Sequence, residues 1–390
     1  MIINRSFIYR IYLTKKQKEN FRKIFEKNVF LFNLLLKIRK KQMNNENYEN
    51  IFIKDLVKEY KELSNGNLLA YISTYHNVDI IIKKYKNGYI NGFPKDKNID
   101  KYPKKLHFNI KTTFYLNENK TRIFISKIGN FKIRYHRKIP NNSYIRNIII
   151  EEKLDNEFYL NIGISENHIK TDTEVKKLVG LDYSSTSLFV TSDNERGDQY
   201  LVREFLTNKI VNIQKKMQNC VLNSKNYLKL KHKLRKLHQK IANKREFYLH
   251  RACNDLLIKF DLIATETLSL TNIASHHKLG KHTYSNAYNK FLSFLNYKSI
   301  LNDKIFIKIP QFYPSTKICS NCGKIKKIMY LDDRMYQCEC GFICNRDLNA
   351  AINIRNKGLD IFHNNIKKDK IKAFNCIWQN NNVGKRRLKM

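Results

Sequence analysis

The sequence is poor in acidic residues and in the residues that most often break regular structure. It contains 12 glycines and 5 prolines in 390 residues, and 34 Asp and Glu stand against 74 Lys and Arg. The scarcity of glycine and proline reflects the compositional bias of an AT-rich genome and excludes no function. The formal net charge of +40, in contrast, is self-repulsive and indicates a polyanionic partner. Hydrophobic residues at 42% provide enough material for folded cores and exclude a disordered tail.

The sequence also lacks a long apolar run. The most apolar stretch, Val29 to Leu36, is eight residues long and contains Asn33, whereas a membrane span needs roughly 20 residues. We therefore predict no membrane partner, and nucleic acid is the favoured polyanion because phosphate neutralisation releases counterions. Arg5 and Arg10 interrupt the first apolar segment, so we expect no secretion signal and a cytoplasmic location.

The pattern of apolar and polar residues changes twice in the first half of the chain. Apolar and polar residues alternate from Phe7 to Leu13, which predicts a strand, and Thr14 then resembles a helix cap. Helical spacing continues, with interruptions, to about Asn87, and the block 92–95 ends it. Short β-rich runs between turns follow over 106–166, which favours a small barrel or sandwich.

The second half begins with a polar linker at 174–177, after which 178–193 has the pattern of a strand, a turn and a second strand. Positions 201–250 hold 13 Lys and Arg against two Glu. Leucines at helical spacing predict a long amphipathic helix or helical hairpin over about 203–257. A core face explains the leucines, and we interpret the one-sided charge as a phosphate-facing surface.

Three acidic residues stand at unusual positions. Asp182 interrupts an apolar strand, where an unpaired carboxylate is costly to desolvate and a cation would compensate it. Glu266 ends a second apolar strand, and Asp347 opens an alanine-containing helix. Two of them have a structural alternative: Asp182 could cap a turn, and Asp347 could be a carboxylate favoured by the helix dipole.

Three carboxylates on separate elements are what a two-metal phosphodiester hydrolase requires, and Mg²⁺ prefers such oxygen ligands. Arg346 and Lys317 are candidates for neutralising a phosphate. The alternative, that both are ordinary surface cations, is equally compatible with the sequence.

Five of the eight cysteines lie between Cys319 and Cys344. In a reducing compartment such clustering indicates a metal site and not disulfides. Cys319 and Cys322 form one knuckle before a glycine, and Cys338 and Cys340 form a shorter one. Four thiolates predict a structural zinc, because a complete thiolate shell leaves no open position for catalysis. Cys344 is an alternative fourth ligand.

Several motifs follow one another in an order typical of a known family. They are Gly180–Ser184, Asn243–Arg245 with His250, His277–Lys281, Phe294–Lys298, Phe312–Gly323 and Arg346–Asn353. With these motifs the chain resembles the TnpB (OrfB) proteins of bacterial insertion sequences, which are relatives of the compact type V CRISPR effectors. Two departures are Asn345, where the family pattern is usually acidic, and the short second knuckle at Cys338 and Cys340.

The resemblance implies a multidomain α+β and α/β protein. A β-barrel wedge domain with a helical insert is expected to precede an RNase H-like RuvC nuclease domain with an inserted zinc ribbon. The implied boundaries are 1–13 for the first wedge strand, 14–91 for the helical recognition domain, 92–173 for the wedge barrel, 174–316 for the first part of the RuvC-like domain, 317–344 for the zinc ribbon, and 345–390 for the last part and a basic tail.

The resemblance also implies an RNA-guided DNA endonuclease. Asp182, Glu266 and Asp347 would hold two Mg²⁺ ions, while Cys319, Cys322, Cys338 and Cys340 would hold one Zn²⁺. Expected nucleic-acid contacts are Arg245, Lys278, Lys281, Lys317 and Arg346. The expected partners are a guide RNA and double-stranded target DNA, with a transposase of the same element as an additional candidate. The alternatives are a compact type V CRISPR effector, a non-cleaving RNA-guided DNA-binding regulator, and a zinc-ribbon nucleic-acid binder without enzymatic activity.

Overall fold

The computed structural model describes residues 2–44, 52–99, 104–109, 114–125, 128–154, 156–169, 174–184, 187–197, 204–269, 287–330 and 333–385. The chain divides into two units, Met1–Ile169 and Lys170–Met390. None of the helices within these described ranges has the length and apolarity needed to cross a membrane.

The first unit is built on a seven-stranded antiparallel sheet. Its strands are β1 (Ile2–Tyr12), β2 (Lys104–Asn109), β3 (Phe114–Leu116), β4 (Arg122–Ile125), β5 (Gly129–Arg134), β6 (Ser143–Leu154) and β7 (Glu157–Asn167). The strand order is β2-β6-β7-β1-β5-β4-β3, so the first strand of the chain lies inside the sheet. The predicted β-rich region is thereby confirmed. Within the described residues no ladder joins β2 to β3, and closure into a barrel stays a prediction.

Helices of the first unit follow β1 directly. They are α1 (Lys15–Asn44), α2 (Ile53–Glu59) and α3 (Leu68–Lys86), with a 3-10 turn at Lys61–Leu63. Thr14 and Gln17 cap α1 reciprocally, since each side-chain oxygen accepts the other residue's backbone N–H. Phe21 of α1 meets Phe158 of β7 edge to face, with ring centroids 5.1 Å apart, so an aromatic contact joins the helix to the sheet.

The second unit contains a four-stranded mixed sheet. Its strands are β8 (Leu178–Tyr183), β9 (Phe189–Thr191), β10 (Leu262–Glu266) and β11 (Ile305–Ile309), in the order β11-β10-β8-β9. β10 runs parallel to both β8 and β11, and β9 is antiparallel to β8. Its helices within the described residues are α4 (Glu204–Gln218), α5 (Lys225–Lys259), α6 (Tyr288–Leu301) and α7 (Arg346–Lys385). A small hairpin of β12 (Met335–Gln337) and β13 (Ile343–Asn345) precedes α7.

The two faces of this mixed sheet pack against different helices. Val179, Leu181 and Ile263 belong to the core that includes residues of α5 and α6, whereas Leu262 and Ala264 pack with Ile354 of α7. Because side chains alternate between faces along a strand, the even-numbered residues of β8 and β10 point towards α7. That alternation places the acidic residues of both strands on the α7 face.

Candidate active site and metal centre

Asp182, Glu266 and Asp347 come together at one edge of the mixed sheet. β8 and β10 are parallel and pair Leu181 with Thr265, so the next residues along the two strands are Asp182 and Glu266. Asp347 lies in the first turn of α7, one helical turn before Ala351. A Cβ atom added to Gly180 would lie 2.0 Å from the carbonyl oxygen of Ala351, so this part of α7 is held directly over β8.

The three carboxylates interact electrostatically. Asp182 is 7% exposed. Burial, and then the charges of Glu266 and Asp347, raise the pKa of Asp182 well above its usual range, while Arg346 opposes the shift. Burial also raises the pKa of Glu266, against a hydrogen bond that the Ser315 hydroxyl donates to it. Three ionised groups at this edge are therefore unfavourable by themselves, and a cation would favour their charged forms.

The carboxylates are spaced more widely than the ligands of a single ion. Among the described residues, only the four-cysteine group brings three or more His, Cys, Asp or Glu ligand atoms within 4.8 Å of one another. Two cations about 4 Å apart need a wider arrangement than one cation does. Carboxylate oxygens are the hard ligands that Mg²⁺ prefers.

Asn345 has a definite role in this arrangement. Its side-chain oxygen accepts the backbone N–H groups of Asp347 at 2.9 Å and Leu348 at 3.4 Å, which makes Asn345 the N-cap of α7. Asn and Asp are about equally good caps. The departure from the acidic family pattern therefore preserves the position of Asp347.

Two tyrosines border the carboxylates, and the sequence did not reveal them as site residues. The rings of Tyr183 and Tyr288 meet edge to face with centroids 4.9 Å apart. Tyr288 is 1% exposed, and its hydroxyl has no hydrogen-bond partner within the described part of the chain. Burial, and then the charges of Asp182 and Glu266, raise its pKa, so Tyr288 is a neutral phenol at this site.

The cysteine knuckles form a compact thiol cluster. The Sγ atoms of Cys319 and Cys340 are 3.7 Å apart, and those of Cys322 and Cys338 are also 3.7 Å apart. A tetrahedral zinc site with Zn–S bonds of about 2.3 Å has sulfur–sulfur edges of roughly 3.8 Å. The cluster therefore fits a structural zinc. Cys344 is not part of the four-cysteine cluster, and its thiol donates to the carbonyl oxygen of Asn345 at 3.3 Å.

A glycine follows each knuckle for a conformational reason. Gly323 and Gly341 have φ angles of +77° and +84°, in the left-handed region. Their N–H groups donate to the carbonyl oxygens of Cys319 at 2.9 Å and Cys338 at 3.0 Å. These turns curl the chain around the sulfur atoms.

The candidate nucleic-acid contacts occupy different environments. Lys317 is exposed at the start of the ribbon. The Nε atom of Arg346 lies 3.7 Å from Asp347 Oδ1, so the guanidinium group lies beside the carboxylates. Arg245 has a buried Nε atom without a hydrogen-bond partner in the described residues. Lys278 and Lys281 lie outside the described residues.

Three family models match the chain in sequence order. Residues 1–47 match a model of IS605 OrfB proteins described as "Helix-turn-helix domain", and residues 161–276 match one described as "Probable transposase". Residues 288–354 match the "Cas12f1-like, TNB domain". Over the described residues 2–44 this segment folds as β1 followed by α1, which is not a helix-turn-helix arrangement.

Relatives match most of the chain at low identity. A Streptomyces pristinaespiralis protein, "Putative RNA-guided DNA endonuclease", is 22% identical over 92% of this chain and 90% of its own length. An Escherichia coli K12 protein, "Putative RNA-guided DNA endonuclease InsQ", is 24% identical over 70% of this chain and 72% of its own. Among solved structures, a Cas12f1 chain in complex with sgRNA and target DNA superposes with a TM-score of 0.57 and 13% identity. The superposition covers 91% of this chain and 99% of that one.

Together these observations define a class. The chain is a mixed α+β protein of Cas12f-like fold, with an antiparallel sheet, a mixed sheet and a four-cysteine cluster. Within that class its sequence matches two models of IS605 OrfB proteins, over residues 1–47 and 161–276, which agrees with the resemblance that the ordered motifs indicated.

Proposed function

We propose that this protein is an RNA-guided, Mg²⁺-dependent DNA endonuclease of a transposable element, with an RNase H-like RuvC nuclease site. The observation that carries the proposal is the buried Asp182 beside Glu266 and Asp347 at the carboxyl edge of a mixed sheet. A regulator or structural zinc-ribbon protein has no use for this costly group of carboxylates. Relatives described as RNA-guided DNA endonucleases support the same function.

Each carboxylate has a defined support. Asp182 is fixed by the ladder of β8, Glu266 accepts a hydrogen bond from Ser315, and Asp347 follows the N-cap residue Asn345. When bound, two magnesium ions would supply an activated water and would stabilise the leaving oxygen of a phosphodiester. The buried Tyr288 interacts electrostatically with Asp182 and Glu266, and its ring packs edge to face against the half-buried ring of Tyr183.

A lysine stripe on α5 supports the nucleic-acid partners. Six exposed lysines recur at spacings of three or four residues, which places them on one face of the helix. They are Lys225, Lys229, Lys233, Lys236, Lys240 and Lys244. At 1.5 Å per residue the stripe is about 28 Å long. Such a row of cations fits a phosphate backbone, and base pairing by a guide RNA would then supply the sequence choice.

The test uses the protein purified with its co-expressed RNA. Duplex DNA that matches the guide is offered with Mg²⁺ to the wild type, to Asp182→Ala and to the exposed-acid control Asp193→Asn. We expect cutting by the wild type and the control, target binding without cutting by Asp182→Ala, and no cutting of a mismatched duplex. If the wild type binds the matched target without cutting it, the protein is an RNA-guided regulator and the proposal is wrong.

A further inference from the structure

Two buried asparagines of α7 contact the cysteine-bearing segment. Asn349 is 0% exposed and Asn353 is 3% exposed, and they are one helical turn apart on the same side of α7. Both side-chain amides donate to the carbonyl oxygen of Ile318 at 2.7 Å. Buried amides are costly unless they are paired, so these bonds hold the segment against α7.

The remaining bonds of the two amides flank a zinc ligand. Asn349 Oδ1 accepts the backbone N–H of Ser320 at 3.0 Å, so its two bonds lie on either side of Cys319. Asn353 also donates to the carbonyl oxygen of Ser315 at 2.8 Å. The segment Ser315–Ser320, which leads into the first knuckle, is therefore attached to α7 at three backbone positions.

Ser315 completes a connection to the carboxylates. Its backbone carbonyl accepts from Asn353, and its hydroxyl donates to a carboxylate oxygen of Glu266. Ser315 is 3% exposed, so little water competes for these bonds. A displacement of the first knuckle would consequently move the group that orients Glu266.

The second knuckle reaches Asp347 through the hairpin. Asn345 is paired with Met335 in the β12–β13 ladder, and the N–H of Arg346 donates to the carbonyl oxygen of Arg334 at 3.0 Å. Asn345 then caps the helix at Asp347. The hairpin that carries Cys338 and Cys340 thus ends directly in the first turn of α7.

We infer that the zinc ribbon is a positioning element of the carboxylate site, with Asn349 and Asn353 as positioning residues that connect the thiol cluster to Glu266 and Asp347. The inference rests on the proposed function, because it concerns the affinity of the same carboxylates for divalent ions. Outer partners of metal ligands typically change metal affinity 10- to 100-fold when they are removed. The expected effect is therefore on ion affinity and not on folding alone.

The experiment measures ion binding and zinc content on the full chain freed of nucleic acid, because RNA itself binds divalent ions. Mn²⁺ binding is followed by electron paramagnetic resonance, and the signal that Asp182→Ala loses defines the carboxylate site. Asn349→Ala and Asn353→Ala are compared with Asn356→Ala, an exposed asparagine of the same helix. Cys322→Ser removes a zinc ligand while both asparagines stay in place.

We expect Asn349→Ala and Asn353→Ala to retain one zinc per chain and to bind Mn²⁺ about tenfold more weakly than wild type. Raised Mg²⁺ should restore their cutting, which a general loss of folding would not allow. Cys322→Ser should lose zinc and weaken Mn²⁺ binding as well, and Asn356→Ala should match wild type.

The inference is overturned if zinc-loaded Asn349→Ala and Asn353→Ala bind Mn²⁺ with wild-type affinity. It is also overturned if zinc-free Cys322→Ser does so. In both cases the nuclease proposal remains intact. If Asn349→Ala or Asn353→Ala loses zinc, its Mn²⁺ affinity is interpreted in the same way as that of zinc-free Cys322→Ser. Absence of Asp182-dependent Mn²⁺ binding in the wild type overturns both proposals.

Discussion

Gly180 of β8 and Ala351 of α7 are in direct backbone contact: a Cβ atom at position 180 would lie 2.0 Å from the carbonyl oxygen of Ala351. The same side chain would also meet the backbone nitrogen of Arg355 at 2.5 Å. Backbone cannot move aside as a flexible side chain can. The contact therefore fixes the distance between the strand that carries Asp182 and the helix that carries Asp347.

Gly180→Ala should push α7 away from β8. We expect a loss of about 1–3 kcal/mol in the free energy of unfolding, as for overpacked cores, together with a loss of cutting below the melting temperature. Urea unfolding and a cleavage assay check both. Gly358→Ala is the matched control. Its Cβ would lie 2.4 Å from the Cβ of Ala264 and 3.7 Å from its Cα, so a paired Ala264→Gly should relieve the close contact. Wild-type stability of Gly180→Ala would contradict this account.

Removal of the N-cap of α7 should destabilise the first helical turn, which carries Asp347. Asn345→Ala eliminates the acceptor for the N–H groups of Asp347 and Leu348, and should lower stability by about 1 kcal/mol. Asn345→Asp keeps the acceptor and should remain close to wild type in melting temperature. Thermal unfolding of the two variants decides the point. Equal melting temperatures for Asn345→Ala and wild type would show that Asn345 does not act as a cap.

The lysine stripe of α5 predicts a change in salt dependence. Replacing Lys229, Lys233, Lys236 and Lys240 by Gln should weaken RNA or DNA binding and reduce the slope of log K against log salt by about 3, since each phosphate contact contributes about 0.7–0.9. Binding measured over a range of salt concentrations tests this, with the melting temperature as a check of folding. An unchanged slope would mean that the stripe is an ordinary solvated face.

Acidic pH should destabilise the contacts of Asp261, which directly precedes β10 of the mixed sheet. The Asp261 carboxylate accepts from Lys304 Nζ at 2.7 Å and from two backbone N–H groups, and these bonds lower its pKa to about 2. The unfolded-state pKa is about 3.9. The stabilisation is therefore complete above about pH 4 and is lost as the pH falls towards 2.

Asp261→Asn should consequently cost about 1–2 kcal/mol at pH 7 and flatten the acid dependence of unfolding between pH 4 and 2. Asp255→Asn is a suitable control, because its exposed pair with Arg251 should contribute little. A steep acid dependence that persists in Asp261→Asn would assign the effect to other carboxylates.

The sequence predicted the elements of the site better than their connections. The single acidic residue in each apolar strand marked Asp182 and Glu266, and local periodicity gave the strands and the long helices. In contrast, β1 pairs with β7 at a separation of about 150 residues, with Phe7 opposite Ile162, and no local pattern carries that register. Spacing alone also left Cys344 open as a zinc ligand, whereas the structure brings together the thiols of the other four cysteines.

Ser315, Asn349 and Asn353 belonged to recognised motifs but received no role, because their partners are distant in sequence. The one local signal was the pair of asparagines four residues apart in an alanine-containing helix. Tyr288 gave no signal, since an aromatic residue at a helix start is ordinary. The positions of Lys278 and Lys281 remain predictions.

We propose that Asp182, a buried carboxylate whose ionised form is costly, holds catalytic ions. Because burial and neighbouring charge raise its pKa above the unfolded value, its ionised form destabilises the metal-free fold at neutral pH. Asp182→Asn should therefore melt at a higher temperature than wild type in EDTA, and Mg²⁺ should stabilise the wild type more than the variant.

The most direct measurement pairs this melting experiment with cleavage of guide-matched duplex by the same RNA-loaded samples. We predict that Asp182→Asn is more stable without metal, binds the target as the wild type does, and makes no cut with Mg²⁺ while the wild type cuts. An Asp182→Asn variant that cuts at the wild-type rate would show that Asp182 does not hold catalytic ions.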